Sequence, residues 1–217
     1  MSTKHWDGLA IAAIGGAAAA SAALYDALPA RVATHFDWRG TPDGWMARPL
    51  AASFIPGFAL VLWAALRLAP RVVPASGKRA LGGGTVMPFV AALVVVFMAL
   101  VHVVILRVAI GPGIDVTRAV HVLVGVLFVA LGLVLPRVRR NRLVGVRTPW
   151  TLRSDENWAR THRIGGYAMV IGGIFTLLAG IAGGPAGSVV ALASLVAAAT
   201  VPAVYSFVIA RRTEGGG

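Results

Sequence analysis

The stretch that decides the fold is VMPFVAALVVVFMALVHVVILRVAI, residues Val86–Ile110. This run contains one charged side chain, Arg107, which lies near one of its ends. The hydrocarbon core of a bilayer is about 30 Å thick, and a helix rising about 1.5 Å per residue needs roughly 20 apolar residues to cross it. We therefore predict that Val86–Ile110 forms a transmembrane helix.

The rest of the chain has the same character. Of its 217 residues, 58% are hydrophobic and only 13% are charged, and the mean hydropathy is +0.79. This composition excludes a water-soluble globular enzyme. The sequence predicts an all-α, polytopic membrane protein with six transmembrane helices: Gly8–Leu28, Leu50–Ala69, Val86–Ile110, Arg118–Leu135, Gly165–Gly183 and Ser188–Ala210.

We treat residues 1–217 as a single membrane domain. Residues 1–49 hold the first helix and an outer loop, 50–135 hold helices two to four, 136–164 form an inner basic loop, and 165–217 hold helices five and six. The AAAASAA segment at 17–23 has the small residues of a cleavage site. We expect it to be retained, because Asp7 precedes it and a compact leucine-rich segment is missing.

The charge pattern predicts the orientation. The net charge of +12 comes from cations placed between the apolar runs, so it indicates membrane topology and no direct nucleic-acid binding. With both termini in the cytoplasm, fifteen of the 20 Lys and Arg residues lie inside. We predict a bacterial inner-membrane protein with cytoplasmic termini. The chain has no cysteine, which excludes disulfides and thiolate sites.

The long outer segment Pro29–Pro49 reads PARVATHFDWRGTPDGWMARP. Its Gly, Pro and Asp residues predict tight turns, and Trp38 and Trp45 suit the headgroup region. Our candidates for contact with a ligand are residues that the topology places on the outer side: His35, Asp37, Gly40, Pro42, Asp43, Gly44, Trp45, His102 and His121. A self-bonded turn that includes Asp37 is an equally open interpretation of the loop. For His102, a hydrogen bond to a neighbouring helix is the favoured interpretation over contact with a ligand.

Four of these residues also suggest a second class of function. His35, His102, His121 and Asp43 have side chains that bind zinc, so a metal-dependent membrane enzyme is an open alternative, as is a small transporter. There is no HExxH motif, Walker loop, nucleophile elbow or dinucleotide fingerprint. We therefore expect no enzymatic activity and no bound cofactor.

The long inner segment Pro136–Ile164 carries eight arginines against two acids. Attraction to anionic lipid explains the RVRRNR stretch. It does not explain the Thr-Pro-Trp turn or the predicted helix, which is capped by Ser154 and has Trp158 and His162 on one face, because attraction to lipid requires no ordered structure. We interpret the segment as a surface for a cytosolic partner. The candidate docking residues are Asn141, Arg147, Thr148, Pro149, Trp150, Trp158, His162 and Arg163.

The fifth span carries glycines at every seventh residue. Gly166, Gly173 and Gly180, with Gly165 and Gly172 beside them, form a stripe that another helix can approach closely. A seam inside the bundle is the favoured interpretation, and a homodimer face is the alternative. The arrangement of three spans followed by three spans also suggests an inverted repeat.

Two motifs resemble those of a known family. Leu28–Trp45 (LPARVATHFDWRGTPDGW) and Asn141–Gly166 (NRLVGVRTPWTLRSDENWARTHRIGG) are similar to the two signatures of the SdpI immunity-protein family. They occur in the family's order, within a six-span chain of the expected length. Val32 stands where the family usually has Ile, and Trp38 and Arg39 fall in a variable stretch.

The resemblance implies a function and a set of residues. It implies protection of a bacterium against a secreted antimicrobial toxin, with recruitment of a cytosolic transcriptional repressor when the toxin is present. By motif it implies an outer element of Pro29, His35, Gly40, Pro42, Asp43 and Gly44, and an inner element of Asn141, Gly145, Arg147, Thr148, Pro149, Trp150, Trp158, Thr161, His162, Arg163 and Gly165.

Overall fold

The fold is a bundle of helices with one small β-hairpin, seen in a computed structural model that describes residues 3–72, 86–141 and 144–214. Its helices are α1 (Thr3–Leu24), α2 (Arg48–Val72), α3 (Val86–Ile110), α4 (Val116–Val134), α5 (Pro149–Arg153), α6 (Asp155–Ala182) and α7 (Gly184–Glu214). Strands β1 (Arg31–Phe36) and β2 (Pro42–Ala47) join α1 to α2. Six of the described helices are long and apolar enough to cross a membrane, which confirms the predicted class.

Helix starts follow the capping residues in the sequence. The side chain of Ser154 accepts a hydrogen bond from the backbone N–H of Asn157, and Asp155 and Glu156 occupy the first turn of α6. The predicted helix start at Ser154 is therefore confirmed. Helix α6 then continues unbroken into the fifth span, as predicted, so the last ten residues of the inner segment Pro136–Ile164 are helical.

The six long helices alternate in direction, which gives the bundle two distinct ends. The hairpin end carries β1, β2 and the start of α4. The opposite end, here called the loop end, carries residues 138–141 and 144–148. Asp7 near the start of α1 pairs with Arg67 near the end of α2, and Arg211 near the end of α7 stacks on Phe207 close to α5. The start of α1 and the end of α7 therefore both lie at the loop end.

The two halves of the chain pack differently. Helices α1, α2 and α3 all contact one another, whereas α4 and α7 meet mainly through α6, which lies between them. An inverted repeat would give equivalent helices equivalent neighbours, so the packing argues against the repeat suggested by the sequence. The cations Lys78, Arg79 and Arg142, which the topology prediction used, lie outside the described residues.

The glycine stripe of α6 is a seam within the chain. A side chain at Gly166 would meet the backbone oxygen of Gly132, and one at Gly173 would meet that of Gly125, so α4 contributes a matching glycine pair. Gly180 lies against His121 of α4, while Gly165 and Gly172 face α7. The packing interpretation is confirmed, and the stripe is covered by the chain's own helices instead of being open to a second copy.

Candidate functional site

The outer segment folds into an antiparallel hairpin whose turn is held by Asp37. The strands pair with Val32 opposite Met46, and the register shifts on either side of His35. One carboxylate oxygen of Asp37 accepts hydrogen bonds from the backbone N–H groups of Arg39 (2.9 Å) and Thr41 (2.8 Å). The Asp37 side chain thus acts as part of a self-bonded turn, the interpretation left open by the sequence.

The hairpin is anchored at its base and its tip. Leu28 and Val32 are fully buried against Ala51 and Ala52 of α2 and Ile105 and Leu106 of α3. At the tip, Gly40 has φ +84°, and a side chain there would overlap the hydroxyl of Thr117 at the start of α4. The hairpin therefore bridges the two halves of the bundle.

Its outward face is aromatic and charged. Trp38 and Trp45 are 54% and 48% exposed, and the guanidinium of Arg39 lies 4.6 Å from the centre of the Trp38 ring. His35 Nδ1 and Asp43 Oδ1 are 2.5 Å apart on the same hairpin, and both side chains are exposed. Pro42 is also exposed, and Gly44 lies opposite His35, close to its side chain.

Of the two roles that the sequence left open for His102, ligand contact and a hydrogen bond to a neighbouring helix, the structure shows the second. His102 is fully buried in α3, and its Nε2 lies 2.7 Å from the hydroxyl of Ser21 in α1. That hydroxyl donates its proton to the carbonyl oxygen of Ala52 in α2, so Nε2 is the donor to Ser21. Nδ1 of His102 has no hydrogen-bond partner among the described residues. His102 therefore joins three helices and is not a surface group that faces a ligand.

The four candidate zinc ligands do not form a site. His35 and Asp43 meet on the exposed hairpin, His102 is bonded within the bundle, and His121 packs against Gly180. Zinc needs its donor atoms to converge at about 2.0–2.2 Å from one ion. Across the ranges that the structure describes, no group of three or more His, Cys, Asp or Glu residues could hold a metal. The proposed metal site of His35, His102, His121 and Asp43 is therefore wrong.

At the loop end, two side chains hold the backbone on either side of the undescribed residues 142–143. The amide of Asn141 donates to the carbonyl oxygens of Arg139 and Val144, and its own oxygen accepts from the N–H of Val144 at 2.7 Å. The indole N–H of Trp158 in α6 donates to the carbonyl oxygen of Val138 at 2.8 Å. Both side chains are buried, so their role in this structure is to hold the loop.

The next turn is organised by a capping box. Thr148 caps α5 by accepting from the N–H of Thr151, the hydroxyl of Thr151 accepts from the N–H of Thr148, and Pro149 occupies the first turn. The hydroxyls of Thr148 and Ser206 are 3.0 Å apart, which ties α5 to α7. Asn157 of α6 also donates a hydrogen bond to the carbonyl oxygen of Ser206, which ties α6 to α7.

Thr151, Asn157, Ser206 and Ser21 were not among the predicted site residues. Thr148 and Thr151 have the i, i+3 spacing of a capping pair, which was a usable signal. Ser21 and Ser206 are isolated polar residues within apolar spans, where a hydroxyl usually bonds a neighbouring helix. Their partners are 81 and 58 positions away, so spacing alone could not identify them.

The docking prediction divides into two groups of residues. Asn141, Trp158 and His162 are buried, and Thr148 is half-buried as a cap. The residues at the surface are Arg147, Pro149 and Arg163, with the half-buried Trp150 packed edge-on against Phe207 at 5.0 Å. A partner that meets this conformation would therefore contact the second group while the first supports its shape.

The loop end is strongly basic. Asp155 pairs with Arg140, and Glu156 pairs with Arg160 one helical turn away. These are the two acids between residues 137 and 164, so the remaining arginines of the segment leave it with a positive surface. Positive charge of this kind favours anionic partners.

The fold and its two ends define the class of protein: a polytopic membrane protein that presents an anchored hairpin at one end and a basic loop at the other. Residues 137–206 match the SdpI/YfhL protein family model, and residues 12–60 match that of a domain of unknown function (DUF1648). The matches include the loop end and the hairpin, respectively, and together cover more than half of the chain. The protein belongs to the SdpI/YfhL family, which confirms the resemblance. No curated protein and no solved structure matches it.

Proposed function

We propose that this protein is a non-enzymatic membrane receptor of the immunity type, which binds a secreted antimicrobial toxin and protects the cell that makes it. Family membership supports this class of function. The observation that carries the proposal is the hairpin, because it presents Trp38, Trp45 and Arg39 outward while its base is fixed in the bundle.

The hairpin has the properties of a recognition surface. Trp and Arg residues dominate the energetics of many protein interfaces, since they bury large areas and also offer polar contacts. Anchoring at Val32 and at the Gly40–Thr117 contact reduces the conformational entropy that binding would cost. His35 and Asp43 add a polar pair to this surface that a toxin with complementary charge would recognise.

We place the hairpin end outside the cell and the loop end in the cytoplasm of a bacterium, with the chain in the inner membrane. Between residues 137 and 163 the described loop end carries seven arginines against two acids. The hairpin end carries five arginines, at positions 31, 39, 48, 107 and 118, together with four aspartates, at 26, 37, 43 and 115. The positive-inside rule favours this orientation.

The same arrangement offers a route for inward signalling. Helix α4 touches the hairpin turn through Thr117, and shortly after its other end Val138 binds the indole of Trp158. A toxin that binds one arrangement of the hairpin more tightly would change the population of the loop conformations. We propose that this alters docking of a cytosolic transcriptional repressor at Arg147, Pro149, Trp150 and Arg163.

Survival under toxin challenge tests the proposal. Cells would express the wild type, the Trp38→Ala/Trp45→Ala double variant or Trp150→Ala at matched membrane abundance. We expect the hairpin variant to lose protection, and Trp150→Ala to keep protection while losing recruitment of the repressor, because the two changes affect opposite ends. Full protection by the hairpin variant contradicts hairpin binding, and unchanged sensitivity after deletion of the gene contradicts immunity.

A further inference from the structure

Helices α1 and α2 meet near the loop end through an ion pair that the proposed function does not use. Arg67 Nε lies 2.9 Å from Asp7 Oδ1, and the indole N–H of Trp63 donates to the same oxygen at 3.3 Å. The membrane spans that carry them run over Thr3–Ala27 and Arg48–Leu68. Both charged residues therefore lie within about one turn of the end of their span, at the level of the lipid headgroups.

The two partners of this ion pair differ in exposure. The Asp7 side chain is 18% exposed, and that of Arg67 is 42% exposed. The carboxylate thus fixes the guanidinium by its Nε edge. The terminal Nη groups of Arg67 make no hydrogen bond within the described residues, and they carry N–H donors in the fork geometry that matches phosphate oxygens.

A cavity of about 400 Å³ adjoins the pair, lined by Asp7, Trp63, Ala64, Arg67 and Leu68. One side of it is charged, and the other is apolar. The Trp63 ring packs against the buried cluster that includes Ala59 and Val95, which makes it a fixed wall. The cavity is large enough for a small polar group and the first atoms of an apolar chain.

We propose that this cavity binds a membrane glycerophospholipid, with the phosphodiester on the Nη groups of Arg67 and the start of an acyl chain against Trp63 and Leu68. Arg67 and Asp7 cancel in net charge, so the site favours a singly charged diester over a doubly charged soluble phosphate. The apolar wall contributes only when the phosphate carries a tail. This lipid site does not depend on toxin binding.

Lipid binding to the full chain in detergent micelles tests the proposal. The probes are short-chain phosphatidylglycerol and, as the tail-free arm, glycerol 3-phosphate. Native mass spectrometry would give lipid occupancy, and the shift in Tm on adding each probe would give a second readout. We expect phosphatidylglycerol to bind and raise the Tm, and glycerol 3-phosphate to do neither.

Three variants assign the binding to Arg67. Arg67→Gln should weaken phosphatidylglycerol binding at least about tenfold, the loss expected for charge-assisted hydrogen bonds to phosphate. Arg67→Lys keeps the cation for Asp7 but not the fork, so it should fold and bind several-fold more weakly. Arg107→Gln removes an exposed arginine near the hairpin end and should bind as the wild type does.

Two outcomes would overturn the proposal. Wild-type lipid affinity in Arg67→Lys, or in Arg67→Gln where it folds, would mean that the ion pair only joins α1 to α2. Equal binding of glycerol 3-phosphate and phosphatidylglycerol would mean that the site takes a soluble phosphate and not a lipid.

Discussion

The imidazole of His162 lies flat against the indole of Trp158, with ring centres 4.0 Å apart and planes 18° apart. Its Nδ1 lies 2.9 Å from the carbonyl oxygen of Trp158, and its Nε2 accepts from the backbone N–H of Val146 at 3.2 Å. Since Nε2 accepts, Nδ1 must carry the proton and donate it, which fixes the tautomer. One ring thus binds the loop to α6.

This contact predicts that Gly145 cannot be replaced. Gly145 has φ +113°, and an alanine side chain there would overlap Nε2 of His162. Gly113 also has a positive φ, +134°, but nothing lies within 4 Å of an added side chain. Both substitutions cost about 1–2 kcal/mol of backbone strain. Only Gly145→Ala should also displace the loop, and trypsin cleavage at Arg147 in detergent should then be much faster than in the wild type or Gly113→Ala.

Equal cleavage at Arg147 in the two glycine variants would contradict this prediction. It would mean that the loop tolerates separation from His162, and that the hydrogen bond of Trp158 to Val138 is enough to hold the loop in place. The Tm of the two variants provides the control for global unfolding, because a loop effect should appear at Arg147 before the bundle melts.

Much of the fold could be predicted from local pattern. Apolar runs gave six spans, and Ser154 with Asp155 and Glu156 gave the start of α6, because span length and capping depend on neighbouring residues. Contacts between residues that are far apart in the sequence could not be predicted in this way. His102 is hydrogen-bonded to Ser21, which lies 81 residues away in the chain, and no spacing in the sequence indicates that contact.

The candidate site shows the same division between local and distant information. The two motif segments were correctly placed at opposite ends of the bundle, since an odd number of spans separates them. Which of their residues face outward was not predictable. Trp45 is exposed whereas Trp158 is buried, and this difference follows from the strand register and from the position of Val138, which only the tertiary structure fixes.

The glycine seam predicts opposite effects for two alanine substitutions. A side chain at Gly173 would lie 2.8 Å from backbone atoms of Gly125 and Val129, which cannot move aside, so Gly173→Ala should destabilise the protein by about 1–3 kcal/mol. Gly16 in α1 has nothing within 4 Å, and alanine favours helix, so Gly16→Ala should leave the Tm unchanged or raise it. A Tm for Gly173→Ala as high as that of Gly16→Ala would show that α4 and α6 can separate at no cost.

The Ser21–His102 hydrogen bond predicts coupling between two distant substitutions. Ser21→Ala leaves the buried Nε2–H of His102 without an acceptor and should cost about 1–3 kcal/mol. His102→Leu removes that donor, so the double variant should be more stable than the sum of the single losses predicts, by about 1 kcal/mol. Equilibrium unfolding in detergent would give the free energy of unfolding of the wild type, the two single variants and the double variant, which together form a double-mutant cycle.

Ser53→Ala is the control for this cycle, because the Ser53 hydroxyl is exposed and donates only to Pro49 in its own helix. It should change the free energy of unfolding little and show no coupling to His102→Leu. Additive losses for Ser21→Ala and His102→Leu would contradict the assignment of a mutual hydrogen bond, and would leave each residue with an independent packing role.

The orientation of the chain predicts which positions react from outside the cell. The protein has no cysteine, so single cysteines can be introduced without background. Ala47, the last residue of β2, and Ala159, in the first turns of α6, are both exposed and lie at opposite ends of the bundle. With fifteen of 20 cations assigned to the cytoplasm, a membrane-impermeant maleimide should label Ala47→Cys in intact cells and Ala159→Cys only after permeabilisation. The reverse pattern would place the basic loop outside, and the hairpin could then not be the surface that meets a secreted toxin.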